Sequence, residues 1–298
     1  MSRTALFSRK DPGGVYTIED IRQGTGQYFF VSSVTGATTN SGLTPDSPLT
    51  TWDAGVNKCT ASSGDTVVLM ENHAEDLDAA SAVDLDVVGV RTIGLGRGTD
   101  RPQISFSETD ATITAAAANC SVENVHFINA VDALVVGIPV TAAHFLVKNC
   151  LFDDATAAKQ TNDWITLSAA ADYFECVDCE HHGSDTAGAQ SFISGAAADH
   201  VKVIHLQSHG DMEKANIEMT AAWTDCLIDN CILENANAVD VNIEGFAAAT
   251  GQVRYCSLEI ATDAQTTAIN TGGTLALFEN YFVNNDAETG KVQGTASA

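Results

Sequence analysis

An eight-residue phrase returns seven times in this chain, and a repeat of that kind points to stacked supersecondary units in place of a single closed core. It reads apolar, any, apolar, any, Asn-like, apolar, any, apolar. The copies begin at Cys120, Phe145, Phe174, Val201, Cys226, Val253 and Ala276. Successive starts differ by 25, 29, 27, 25, 27 and 23 residues, which assigns the length variation to loops.

The alternating first and third residues put two side chains on one face of a short strand, and a second alternating pair starts at the sixth. The fifth residue is Asn124, Asn149, Asp178, His205, Asn230, Ser257 or Asn280. Asn and Asp accept a left-handed backbone cheaply, so the bend between the two strands is expected there. On this register Val122, Val147, Cys176, Val203, Ile228, Tyr255 and Phe278 form one buried column. A third strand follows in most turns: DWITLS from Asp163, SFISG from Ser191, NIEMT from Asn216, VNIEG from Val241 and AINTG from Ala268. Earlier strands are expected at Thr66 (TVVLM) and Val90 (VRTIGL). A leucine framework and a 3.6-residue period are both missing, which argues against a leucine-rich horseshoe and a helical repeat.

Three short strands per rung, with rungs of this length, resemble the right-handed parallel β-helix of the pectate-lyase-like superfold. The stretch from Tyr28 to Asp76 reads as a strand, a polar loop, a short helix near Leu49 to Cys59 and a further strand. It resembles the N-terminal cap of β-helix virion proteins of tailed bacteriophages, and VVGVRTIGLGRGTDRPQISF resembles their early rungs. A solenoid needs such a cap because its end rung exposes apolar side chains and strand edges. The expected division is an N-terminal arm over 1–27, a cap over 28–64, an all-β solenoid over 65–283 and a tail over 284–298.

Charge and cysteine content bound the function. The chain carries −25, yet its first ten residues contain Arg3, Arg9 and Lys10 and no acid, so a +3 arm leaves −28 on the rest. An acidic body repels nucleic acid, whereas a short basic arm can dock on another surface. No apolar run reaches membrane-spanning length and the N-terminus lacks the apolar core of a signal peptide, so synthesis in a host cytoplasm is expected, with neither membrane nor nucleic acid as partner. Of the eight cysteines, Cys120, Cys150, Cys176, Cys179, Cys226 and Cys231 fall at inward phrase positions and read as core thiols.

Aligning rungs at the ninth position gives Ile128, Asp153, His182, His209, Glu234, Ala261 and Asn284. Asp153, His182, His209 and Glu234, with Asp154 beside them, form a polar column that is a weak candidate metal site. FDDA, EHHGSD and QSHGDM there partly resemble a polygalacturonase-type glycoside hydrolase site, but the Asn-Thr-Asp and Arg-x-Lys motifs of that family are missing. His144, Tyr173, His200 and Asp225 form a second column of the same kind. The expectation is a non-enzymatic virion structural protein without cofactor or catalytic residues. It would be a capsid decoration or cement protein on the capsid exterior, bound to the major capsid protein through Arg3, Arg9 and Lys10. A homotrimer is expected by analogy with β-helix phage proteins. The alternative is a tail spike or fibre that binds or hydrolyses a surface glycan.

Overall fold

The computed structural model of the chain describes residues 26–154, 156, 158–184, 189–237, 241–260, 268–270, 274–284 and 289–292. Ten short strands form the first sheet in strict chain order: Tyr28–Val31, Thr66–Leu69, Arg91–Gly94, Ser121–Glu123, Leu146–Lys148, Glu175–Val177, Lys202–Ile204, Cys226–Asp229, Thr250–Arg254 and Thr274–Phe278. A second ten-stranded sheet begins at Ala74–Leu77 and runs through Leu151–Asp154, Glu180–His182, Gln207–Gly210, Ile232–Asn235 and Ser257–Ile260 to Asn280–Asn284 and Thr289–Val292. The third has six strands: Leu134–Val140, Thr161–Leu167, Ala189–Gly195, Met212–Met219, Ile243–Glu244 and Ile269–Asn270. Each strand pairs in parallel with its counterpart one rung away, except the last, Thr289–Val292, which folds back antiparallel on Asn280–Asn284. The chain is a parallel β-solenoid. Among the described residues no helix is long and apolar enough to cross a membrane.

The phrase explains the interior. Val122, Val147, Cys176, Val203 and Ile228 stand in register on successive rungs, all fully buried. Left-handed backbone falls at Asn124, Asn149, Asp178, His205 and Asn230, with φ between 51° and 58°. Side-chain amides tie these bends to neighbouring rungs: Asn149 Nδ2 donates to Asn124 Oδ1 at 3.0 Å, and Asn124 Nδ2 to the Gly94 carbonyl at 2.8 Å. The six expected core thiols are buried, as is Cys256, and each of these seven sulfurs is a free thiol.

The last two copies need correction. Ile228 pairs with Val253, and Val253 with Leu277, so the column ends in buried Val253 and partly buried Leu277 and not in Tyr255 and Phe278. Tyr255 and Phe278 are 56% and 48% exposed. The sixth bend is Tyr255 at φ 56° and the seventh Glu279 at φ 50°, not Ser257 and Asn280. A two-residue slip preserves alternation, so periodicity could not detect the first error. In the second, a run of apolar residues on both faces of Thr274–Phe278 hid a one-residue slip. Asn280 is buried: its Nδ2 donates to the Val253 carbonyl at 2.9 Å and its Oδ1 accepts from the Cys256 amide at 3.0 Å.

At the N-terminal end, Tyr28–Val31 is itself the outermost strand of the first sheet. The helix Trp52–Val56, capped by the Thr51 hydroxyl accepting from the Ala54 amide, lies across this end. Trp52 is fully buried, and its indole N–H donates to Thr92 Oγ1 at 3.0 Å. Gly55 permits the approach, since a Cβ there would lie 2.8 Å from the side chains of Val31 and Val67.

Aromatic side chains dominate the wider interior. Trp164 meets Phe106 and Phe152 edge-on at 5.8 and 5.3 Å between centroids, and His181 stacks on Phe192 at 4.8 Å. A polar thread crosses this core. Ser208 Oγ donates to Asn216 Oδ1 at 2.6 Å, so the 3.0 Å contact with His181 Nδ1 requires that nitrogen to carry its proton. Asn216 Nδ2 then donates to Asn242 Oδ1, and Asn242 Nδ2 to the Glu259 carbonyl. Burial pushes the His181 pKa down to about 3, which keeps the ring neutral.

Candidate functional site

The second sheet brings Asp153, His182, His209 and Glu234 into one column, in register on four successive rungs. Its next member is Glu259, and then Val283, where the slipped sequence register put Ala261 and Asn284. The four residues resolve into two groups. Asp153 lies between two imidazoles, 2.6 Å from His126 Nε2 through Oδ2 and 2.9 Å from His182 Nδ1 through Oδ1. His209 Nδ1 and Glu234 Oε2 make a separate pair at 2.8 Å. Partial burial raises the Asp153 pKa, but His126 and His182 outweigh it and hold the carboxyl below its ordinary value. Asp154, the next residue, behaves oppositely: burial pushes it up to about 7, against hydrogen bonds from Thr161 and Asn129.

Spacing limits what this column can do. Asp153 and Glu234 are three rungs apart, about 14 Å between Cα atoms at the usual strand separation. Glycosidases hold their two carboxyls about 5–9.5 Å apart across one bond. To flank a single glycosidic linkage the two side chains would have to lean towards each other across the two intervening rungs.

A carboxylate pair of different character lies on the third sheet. Asp163 is in register with Ser191, and Thr166 with Ser194 and Glu218. Glu218 Oε2 accepts from Ser191 Oγ at 3.3 Å and from Ser194 Oγ at 3.2 Å. Asp163 Oδ1 is enclosed and makes no hydrogen bond. Burial and then the charge of Glu218 raise the Asp163 pKa to about 7. A carboxyl that holds its proton near neutrality, within electrostatic reach of a second carboxyl two rungs away that is anchored by two hydroxyls, is material for general acid–base chemistry.

The second column from the sequence is a stack. His144, Tyr173, His200 and Asp225 each take left-handed backbone, with φ between 51° and 60°, at the corner leading into the first sheet. Rings of His144 and Tyr173 lie 4.6 Å apart and 12° from parallel, and those of Tyr173 and His200 4.6 Å apart and 17° from parallel. At its end Asp199 Oδ1 lies 3.0 Å from His200 Nδ1 and accepts a hydrogen bond from the Thr224 hydroxyl.

Sequence reading missed Asp163, Glu218, His126 and Asp199. Asp163 and Glu218 sit in segments recognised as third strands, but on different register positions, so no column exposed them. His126 stands two residues before the aligned position. Arg3, Arg9 and Lys10 lie outside the described residues.

No protein-family model matches this chain, and no curated protein matches it. Solved structures share its solenoid. A rhamnogalacturonan lyase is 9% identical, with a TM-score of 0.49 over 86% of this chain and 87% of its own. The GH136 lacto-N-biosidase of Eubacterium ramulus is 10% identical, with a TM-score of 0.41 over 86% of this chain and 68% of its own. The endo-xylogalacturonan hydrolase of Aspergillus tubingensis is 10% identical, with a TM-score of 0.38 over 76% of this chain and 87% of its own. These matches correct one expectation. The sequence leads to the expectation of a non-enzyme, whereas the solved structures that share its solenoid are glycoside hydrolases and a lyase. Identity this low transfers none of their activities.

Proposed function

We propose that this chain is a structural protein of a tailed-bacteriophage particle, a capsid decoration protein held to the major capsid protein through its N-terminal region. One observation carries this: the chain enters the solenoid at a pole. Tyr28–Val31 is the outermost strand of a ten-stranded sheet, so residues 1–25 attach to one end of a rod about 43 Å long at the usual strand spacing. Docking through Arg3, Arg9 and Lys10 would project the acidic body outward. The like charge of neighbouring bodies then favours even coverage over clumping. Three copies around a local three-fold axis complete the picture.

Binding to cognate empty capsids tests the proposal. Deletion of residues 2–14 is expected to abolish stable attachment while leaving the circular dichroism of the solenoid unchanged. Full occupancy by the deletion variant would put the interface elsewhere. Light scattering on free protein should give three times 31.2 kDa; a monomer mass would remove the trimer.

A second reading, glycan cleavage on the third sheet, is favoured by the Asp163–Glu218 pair. Here Asp163 donates a proton to the leaving oxygen and Glu218 assists attack from the other side. Reducing-sugar release from uronic-acid and neutral polysaccharides should then fall about 100-fold or more in both Asp163→Asn and Glu218→Gln. Wild-type protein inactive on every polysaccharide offered would remove this reading.

A further inference from the structure

The stacked column ends in three side chains of metal-binding type. Asp199 and His200 come from the turn entering Lys202–Ile204, and Asp225 from the turn entering Cys226–Asp229, one rung on. A ring nitrogen of His200 and one carboxylate oxygen from each Asp lie within 4.8 Å of one another. Two ligand atoms bound to one tetrahedral cation at about 2.1 Å are about 3.4 Å apart. Rotamer adjustments that close the widest pair by up to about 1.4 Å therefore bring all three onto one ion.

Two further observations separate this corner from an ordinary acidic patch. His200 Nδ1 is shut off from solvent and makes no hydrogen bond, although Asp199 Oδ1 is only 3.0 Å away. With the ring neutral and its proton on the other nitrogen, Nδ1 and the carboxylate oxygen beside it are two donor atoms that one cation can take together. The ring is also fixed in plane by its stack on Tyr173. Behind the ligand set, Asp199 is oriented by the Thr224 hydroxyl and by its own amide, which donates to Asp172 Oδ1 at 2.8 Å. Groups of this kind hold ligands in place and tune their affinity.

We propose that Asp199, His200 and Asp225 form a binding site for one zinc-class divalent cation that links two successive rungs of the solenoid. An imidazole among the donors favours zinc over calcium or magnesium, which take oxygen ligands. Three protein ligands leave a fourth position for water. The site is independent of capsid docking and of the third-sheet carboxyls.

Full-length protein stripped with chelator, then titrated with zinc sulfate in a calorimeter and assayed for retained metal after dialysis, tests the site. One zinc per chain is expected. His200→Asn and Asp225→Asn should each weaken binding at least tenfold, and Asn is chosen because it tolerates left-handed backbone at both positions. His182→Ala should bind like wild type. No zinc retained by the wild type, calcium bound in preference to zinc, or zinc lost in His182→Ala and kept in His200→Asn would each overturn the proposal. Circular dichroism identifies a variant that fails to fold, and the other Asn variant then decides.

Discussion

Single residues in this wall carry protonation states set by their neighbours. Asp154 faces inward and holds its proton up to about pH 7, while unfolded Asp loses it near pH 4. Between those values the folded chain binds a proton that the unfolded chain has released. The Asp154 contribution to stability therefore falls as pH rises from about 4 to about 7, and levels off above. Asp154→Asn keeps the oxygen that accepts from Thr161 and Asn129 but has nothing to titrate. The variant should gain on wild type as pH rises from 5 to 8, by at least about 1 kcal/mol at pH 8, while the contributions of Asp163 and, in the opposite direction, His181 are common to both proteins. Urea midpoints at pH 5 and pH 8 provide the check. Parallel profiles for the two proteins would show that Asp154 is already ionised at neutrality.

At the scale of a strand, the register decides what a substitution costs. Ile228 and Phe278 both follow the apolar rhythm, but Ile228 is fully buried between Val203 and Val253, while Phe278 is half exposed. Ile228→Asp should leave no soluble folded protein, because an unpaired carboxylate in the core costs several kcal/mol. Phe278→Asp should fold, with a loss below about 1 kcal/mol. Comparable thermal midpoints for both variants would mean the corrected register is wrong. This pair also marks how far the chain could be read. The bends at Asn124, Asn149 and Asn230 were legible because Asn tolerates left-handed backbone. At the sixth and seventh rungs Tyr255 and Glu279 take that backbone, and neither announces it, so attention passed to Ser257 and Asn280. The Asp153 column was legible because one register position repeats on every rung. Convergence of Asp163 on Glu218, or of Asp199 and His200 on Asp225, depends on how side chains cross between rungs, which no repeat position encodes.

For the whole molecule, strict rung order has a mechanical consequence. Within its sheet, each first-sheet strand from Thr66–Leu69 to Thr250–Arg254 is hydrogen-bonded only to the strand before it and the strand after it, and Trp52 locks the N-terminal end. Load applied between the two ends of the chain falls on one rung at a time, so the solenoid should unwind like thread from a spool, starting at the end without the tryptophan. Residues in register on adjacent rungs are 24 to 29 residues apart, and at about 3.4 Å per extended residue each released rung lengthens the tether by roughly 80–100 Å. Optical-tweezer traces should show a staircase with that step, whereas a single rupture releasing the full contour would mean the rungs fail together. A protein built this way yields under strain by shedding turns and keeps the remainder wound.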